Sequence, residues 1–230
     1  MGTLFVVGTP VGNLEDISPR ALRVLRQVSL IASENPARTQ HLLARYEIET
    51  PMKRFTDAYD RQKPQRTAAV LGALRAGDVA LVSEAGMPGL ADPGYELVQA
   101  VVEHGFPVVP VPGPTAVSAA LSVSGLPSQR FLFLGFLPRK RTARRELLSS
   151  VASRPFTLVA YESPHRLLAA LEDVDHVLGN RSLAVASELT KMYEEVRRGT
   201  AAEVHASFKE QAPRGEYTLV IAPPGGGKGA

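Results

Sequence analysis

Apolar residues in this chain fall into short continuous runs, alternating with segments in which they recur every three or four positions. Residues 4–8 (LFVVG), 29–33 (SLIAS), 79–82 (VALV) and 107–111 (PVVPV) are runs of the first kind, the mark of strands buried on both faces. Between them, Ala21, Leu22, Val24, Leu25 and Val28 keep helical spacing behind Ser18 and Pro19, a pair suited to an N-cap and a first helical position. Leu42, Leu43 and Tyr46 mark a second helix, 67–76 (TAAVLGALRA) a third closed by Gly77, 95–103 a fourth stopped by Gly105, and 115–123 a fifth stopped by Gly125 and Pro127. Residues 51–55 have the length of one more short strand, and the polar segment 56–65 reads as a mobile loop. Strand and helix thus alternate about five times with short connections, which predicts a mostly parallel sheet with helices on both faces.

Beyond Leu126-Pro127-Ser128 the texture changes. Apolar runs at 131–137 (FLFLGFL), 156–161 (FTLVAY), 183–187 and 217–221 predict strands, 194–199 reads as a further strand, and helices are expected over 142–151, 166–178 and 201–209. This half reads as α+β, a mixed sheet with antiparallel edges. The expected architecture is therefore α/β in two domains: an N-terminal parallel-sheet domain over 1–126 and a C-terminal mixed-sheet domain over 127–223. Residues 224–230 (PGGGKGA) are expected to be a disordered tail.

In a parallel sheet, strand ends that face the same way converge on one crevice, where α/β folds place ligands. The informative ends here are 8–13 (GTPVGN), 34–36 (ENP), 83–94 (SEAGMPGLADPG) and 112–116 (PGPTA), with 161–163 (YES) and 188–191 (ELTK) in the second half. Glycine in such turns lets the backbone approach a ligand, and proline holds the loop rigid beforehand. Any single turn is equally a tight strand–helix connection; several along one edge argue for a ligand. Glu84 and Glu34 stand where a proton acceptor could act, or where a helix cap or rim charge would sit, and Lys191 could stabilise charge. Asp92 is expected to cap the helix that follows Pro93.

Composition narrows the chemistry. With no cysteine among 230 residues, disulfides and thiolate metal sites are excluded and a reducing, cytoplasmic setting is expected. No apolar run approaches the roughly 20 residues of a membrane span, and the first residues read as structure, not a signal peptide. Net charge is only +3, from 26 basic and 23 acidic residues, but the basic residues cluster. Arg139, Lys140, Arg141, Arg144 and Arg145 crowd into PRKRTARRE, and Lys53, Arg54, Arg61, Lys63 and Arg66 surround the polar loop. Each group is either a grip for a polyanion or a solvated helix face. Neither G-x-G-x-x-G nor the G-x-x-x-x-G-K-[ST] phosphate loop is present, and there is no G-x-S-x-G elbow. The five histidines (His41, His104, His165, His176, His205) form no spaced ligand pair, so no metal is expected. Backbone groups, small residues, a few carboxylates and Lys191 suit holding a preformed reactive cofactor and positioning an acceptor, not hydrolysis.

Six segments together carry a resemblance: GTPVGNLEDIS, SEAGMPGLADPGYELV, VPVPGPTA, GLPSQRFLFLGFLPRK, YESPHRL and ELTKMYEEVRRG. In this order, from about Leu4 to Ile221, they resemble the ribosomal RNA small-subunit methyltransferase I family of the tetrapyrrole methylase superfamily. The resemblance implies an S-adenosylmethionine-dependent, homodimeric enzyme of two α/β domains with a cleft between them. It implies methylation of the ribose 2′-oxygen of a cytidine in small-subunit rRNA, free or within the assembled 30S subunit. By position in the motifs, the cofactor should touch Pro10, Ala85, Gly86, Met87, Leu90, Thr115 and Ala116, with Glu162 and Thr190 from the second domain. Arg139, Lys140, Arg141, Arg144 and Arg145 would grip RNA phosphates. With eight phenylalanines, six tyrosines and no tryptophan, recognition is expected to lean on shape and backbone more than on base stacking.

The chain departs from the family pattern at three places. Glu34-Asn35-Pro36-Ala37 stands for Glu-Asp-Thr-Arg, with the arginine displaced to Arg38; Thr56-Asp57-Ala58-Tyr59 stands for His-x-His-Asn; and Glu84 and Met87 replace the aspartate and threonine of Ser-Asp-Ala-Gly-Thr-Pro. Two other functions remain open: a methylase of a small tetrapyrrole, which would need no basic helix, and a ribosome-binding or assembly protein that keeps the cofactor fold without catalysis.

Overall fold

A computed structural model describes residues 1–56, 63–208 and 213–225. The chain forms two compact units, Met1–Thr115 and Ala116–Ala230. Arg61 and the Asp57-Ala58-Tyr59 part of the altered motif lie outside the described residues, as do 226–230 of the expected tail.

In the first unit, strands β1 (Leu4–Val7), β2 (Leu30–Ser33), β3 (Met52–Arg54), β4 (Val79–Val82) and β5 (Val108–Val111) form one sheet in the order β3-β2-β4-β1-β5, every pair parallel. Helices α1 (Pro19–Gln27), α2 (Pro36–Arg45), α3 (Lys63–Ala76) and α4 (Tyr95–Glu103) connect them. Period-two alternation decides which helix meets which face. Ile31, Ala80 and Val82 pack with Ala21, Leu25, Leu42 and Leu43 of α1 and α2. Leu30, Ala32, Val79 and Leu81 point the other way, onto Val70, Leu74, Leu97 and Val101 of α3 and α4. The continuous apolar runs read from the sequence are this two-sided burial.

Caps set the entries. Ser18 Oγ accepts from Ala21 N–H at 3.1 Å with Pro19 in the first turn, and Asn35 does the same for α2 ahead of Pro36. One expectation needs correction here. Helix α3 starts at Lys63, so residues 63–65 are helical and not loop. Helix α4 is entered at Gly94, whose φ of 137° suits glycine, two residues after Asp92.

The second unit carries α5 (Ala116–Ser124), β6 (Phe131–Phe136), α6 (Arg141–Val151), β7 (Thr157–Glu162), α7 (Pro164–Leu178), β8 (Ser182–Ser187), β9 (Glu195–Thr200), α8 (Ala201–Ser207) and β10 (Tyr217–Ile221). Its sheet runs β6-β7-β10-β8-β9; β6 and β7 are parallel and the other pairs antiparallel. Helices α6, α7 and α8 bury Leu148, Leu167, Leu171, Val174 and Val204 on one face. Val117, Ala120 and Leu121 of α5 cover Val159, Ala184, Ala186 and Val220 on the other. Helix α5, placed by the sequence reading ahead of the junction at Leu126, therefore packs with the second sheet.

Candidate active site

The C-terminal ends of the parallel strands bring the first unit's glycine-rich turns together, and backbone holds them there. A Cβ built on Gly8, just after β1, would lie 2.6 Å from Gly113 Cα and 2.6 Å from Met87 Sδ; one on Gly113 would lie 2.7 Å from the carbonyl carbon of Gly8. No residue but glycine fits at either position without moving main chain. Thr9 and Gly86 exchange two backbone hydrogen bonds, Thr9 N–H to Gly86 O at 2.9 Å and Gly86 N–H to Thr9 O at 3.0 Å. The turns after β1, β4 and β5 are thereby tied into one edge that carries Pro10, Ala85, Gly86, Met87 and Thr115. Gly86 is buried at φ 79°, and a Cβ there would meet Pro114 O and Val11 Cγ1 at 3.7 Å, in ordinary contact. Leu90, further along the same turn, is exposed.

The two candidate carboxylates of this edge meet each other. Glu84 N–H donates to Glu34 Oε2 at 3.0 Å. Asn35 Nδ2 donates to Glu84 Oε2 at 3.1 Å, and Arg38 Nε lies 3.0 Å from Glu84 Oε1. Asn35 and Arg38, the residues at the altered motif, thus latch the β2 turn to the β4 turn through Glu84. The latch is a surface one, with the side chains of Arg38 and Glu84 67% and 39% exposed.

In the second unit, side chains hold the strand ends. Glu162 ends β7 with its side chain fully buried. Its Oε1 accepts from Ser163 N–H at 2.7 Å and pairs with Arg166 at 2.5 Å, while Arg166 also donates to Ser163 Oγ and to Leu137 O. The other oxygen, Oε2, is buried and has no partner among the described residues. Thr190 shows the same pattern after β8: its N–H donates to Glu194 Oε2 at 2.6 Å, but its buried Oγ1 has no partner among the described residues. A buried carboxylate oxygen left unpaired is costly, and such atoms are where ligands bind. The turn itself is strained, with Glu188 at φ 49° and Thr190 at φ 65°, conformations that non-glycine residues rarely hold outside functional sites. Lys191 pairs with Glu188 at 2.9 Å. Since β10 pairs antiparallel to both β7 and β8, with Tyr217 opposite Glu162 on one side and Ser187 on the other, these turns leave the same edge of the sheet.

Arg166 was not singled out by sequence reasoning. The signal was present as the i, i+4 spacing of Glu162 and Arg166 across the start of a helix.

The basic helix needs a correction. Arg144 is 3% exposed and does not face RNA: it binds Asp173 on α7, fully buried, at 2.5 Å, and donates to the carbonyls of Pro138, Arg139 and Ala169. Arg141 and Arg145 reach the same carboxylate at 3.0 and 2.6 Å while keeping part of their surface in solvent. Burial by itself would raise the Asp173 carboxyl; hydrogen bonds from Arg145, Arg144 and Arg141, with the charge of Arg144, outweigh it and hold the group below the usual aspartate range. Arg139 and Lys140 remain exposed. Among the described residues no group of three histidine, aspartate or glutamate side chains could hold a metal ion, and no helix is long and apolar enough to cross a membrane.

Residues 3–205 match the family model of tetrapyrrole (corrin/porphyrin) methylases. The chain is 48% identical over 224 residues to ribosomal RNA small subunit methyltransferase I from Synechocystis sp., covering 96% of this chain and 79% of that protein. It is 44% identical over 223 residues to the protein of the same name from Thermotoga maritima, covering 96% and 99%. Among solved structures, uroporphyrin-III C-methyltransferase from Thermus thermophilus complexed with S-adenyl homocysteine shares the fold, with a TM-score of 0.63 at 20% identity over 96% of this chain and 97% of that one. On its sequence and its two sheets, the chain belongs to the tetrapyrrole methylases and, within them, to the ribosomal RNA small subunit methyltransferase I family.

Proposed function

We propose that this protein is an S-adenosylmethionine-dependent methyltransferase acting on small-subunit ribosomal RNA, with the 2′-oxygen of a cytidine ribose as acceptor. The observation that carries the reading is Glu162 Oε2, a buried carboxylate oxygen without a partner among the described residues, in a chain of this family. The residues of each unit suit such a cofactor: closely packed glycine backbone at Gly8, Gly86 and Gly113 in the first, and in the second acceptors at Glu162 and Thr190 that have no partner among the described residues.

When bound, S-adenosylmethionine supplies a methyl group carried on a positively charged sulfur. The residues proposed to hold it are Pro10, Ala85, Gly86, Met87, Leu90, Thr115, Ala116, Glu162 and Thr190. Arg166 and Ser163 fix Glu162 Oε1, which leaves Oε2 as a charged acceptor for a ligand hydroxyl or amine. Rigid turns contribute by holding donor and acceptor in line before reaction, a large share of the rate in a displacement.

A ribose hydroxyl also needs a proton acceptor. Glu84 fills that role in this reading. Its pair with Arg38 is exposed, so opening it costs about 1 kcal/mol or less, and a substrate hydroxyl can replace Arg38 at Oε1. Glu34 orients Glu84 through the backbone, and Lys191 stabilises charge from the second unit. Arg139 and Lys140, with the exposed parts of Arg141 and Arg145, take RNA phosphates, so binding weakens steeply as salt rises. The reading includes the family's homodimer and a cytoplasmic setting.

The test is transfer of labelled methyl from S-adenosylmethionine to 30S subunits that lack ribose methylation, followed by mapping of the label. Label on one cytidine ribose is the expected result. Tight binding of cofactor and subunits without transfer would favour an assembly protein, and transfer to a tetrapyrrole in place of RNA would favour the superfamily's other chemistry.

A further inference from the structure

Strand β6 is the outer strand of the second sheet, hydrogen-bonded on one side only, to β7. Leu132 and Leu134 join the core beneath α6 and α7, whereas Phe133 and Tyr161 join the α5 side. Phe131 stands opposite Thr157, Phe133 opposite Val159 and Phe136 opposite Tyr161, residues that share one face of β7.

Simple alternation would put Phe136 on the face opposite Phe131 and Phe133. The register shifts between Phe133 and Phe136, where Gly135 has φ 65°, and the extra residue returns Phe136 to the side of the other two. The rings then form a row: Phe133 meets Tyr161 edge-on with centroids 5.0 Å apart, and Phe136 meets it at 5.4 Å. Helix α5 covers this face over β7, β8, β9 and β10, while Phe131 and Phe136 along β6 are 47% and 45% exposed. An apolar row left open on a bulged edge strand marks a binding surface.

Charge says what binds. Arg130 precedes the row, and Arg139 and Lys140 follow it, all three exposed. Unlike Arg141, Arg144 and Arg145, which are committed to Asp173, none of these three is in an ion pair among the described residues. Flat apolar rings between free cations match a chain of flat bases joined by phosphates, whereas the core of a protein–protein contact is depleted of lysine.

We propose that this face of β6 is a stacking platform for a single-stranded stretch of the RNA substrate. Phe131 and Phe136 each take one base, Tyr161 packs against Phe136 and is itself packed by Phe133, and Arg130, Arg139 and Lys140 hold the flanking phosphates. The proposal rests on the rRNA reading above and adds to it the surface that presents the nucleotide strand.

The test uses the full chain with single-stranded oligoribonucleotides containing 2-aminopurine, whose fluorescence falls when the base stacks. Phe131→Leu and Phe136→Leu keep apolar bulk and remove the aromatic face. Each should weaken RNA binding about 10-fold and the pair about 100-fold, with loss of quenching and unchanged affinity for S-adenosylmethionine. Lys140→Ala should reduce the slope of log affinity against log salt by about one. Unchanged RNA affinity and quenching in the double variant would overturn the proposal, and a dimer-to-monomer shift in sedimentation alongside that result would assign the row to contact between copies. Failure of the unmutated protein to bind or methylate rRNA would instead remove the reading on which the proposal rests.

Discussion

The strand ends of the first sheet are held by main chain, and those of the second by buried charge. Gly8 packs on Gly113 and Thr9 bonds to Gly86 with hardly a side chain involved. In the second unit Glu162 is fixed by Arg166, and α6 is fastened to α7 by three arginines on Asp173. A backbone-built edge is rigid and intolerant, since any side chain at its glycines displaces main chain. A charge-built one leaves polar atoms that can turn toward a ligand, at the cost of depending on every partner being present. Substitutions that cross the two strategies test whether the distinction is real, and they are taken here in order of expected loss of stability.

The largest loss should come from Asp173→Ala, which leaves the buried Arg144 guanidinium without its carboxylate and should cost about 3–5 kcal/mol in denaturant unfolding. The same group predicts a pH dependence. Its carboxyl is held below the ordinary aspartate range when folded, so the stabilisation is fully present above the unfolded value and is lost as pH falls through the folded one. Acid melts of the wild type should steepen below the aspartate range, and Asp173→Asn should flatten that dependence. An unchanged acid limb in Asp173→Asn would show that charge does not hold this unit together.

Next comes Gly8→Val, which drives a branched side chain into Gly113 and Met87 and should cost about 3 kcal/mol. Cofactor binding, followed by calorimetry, should be lost with it. Gly86→Trp is the milder change for the main chain: a Cβ there makes only ordinary contacts at 3.7 Å, and the φ of 79° adds about 1–2 kcal/mol of strain, so the fold should survive while cofactor binding is abolished. Unchanged cofactor affinity in Gly86→Trp would move the cofactor away from this edge. In the second unit, Glu162→Gln keeps the shape but removes the charge that Arg166 and the free oxygen share. It should cost about 2 kcal/mol and weaken cofactor binding by at least about 10-fold.

Much of the first unit was legible because two-sided burial writes itself as uninterrupted apolar runs, and caps such as Ser18 act within a few residues of their signal. What escaped depends on partners distant in sequence. Arg144 looks like any arginine of a basic helix; its burial is decided by Asp173, on another helix, whose charge makes that burial affordable. Helix α5, small and apolar throughout, could have matched either sheet, and only packing against β8 and β10 assigns it. The turns at Glu84, Glu162 and Thr190 were visible as candidates because glycine, proline and carboxylates cluster there. That Glu84 is latched to Arg38 while Glu162 keeps one oxygen open is set by side-chain geometry, which spacing does not encode.

The smallest loss of stability should follow from breaking the Arg38–Glu84 contact on the backbone-built edge. Arg38 and Glu84 are exposed enough that their pair contributes about 1 kcal/mol or less, and the edge is already closed by Gly8, Gly113 and the Thr9–Gly86 bonds. Arg38→Ala should therefore shift unfolding by less than about 1 kcal/mol and leave cofactor affinity intact. Glu84→Gln should be equally mild in unfolding, yet lower kcat by about 100-fold if Glu84 takes the ribose proton. A carboxylate whose loss is cheap for the fold and expensive for turnover is one held for chemistry. Should either substitution instead cost as much as Asp173→Ala, charge would be holding the first edge as it holds the second unit, and the two strategies would collapse into one.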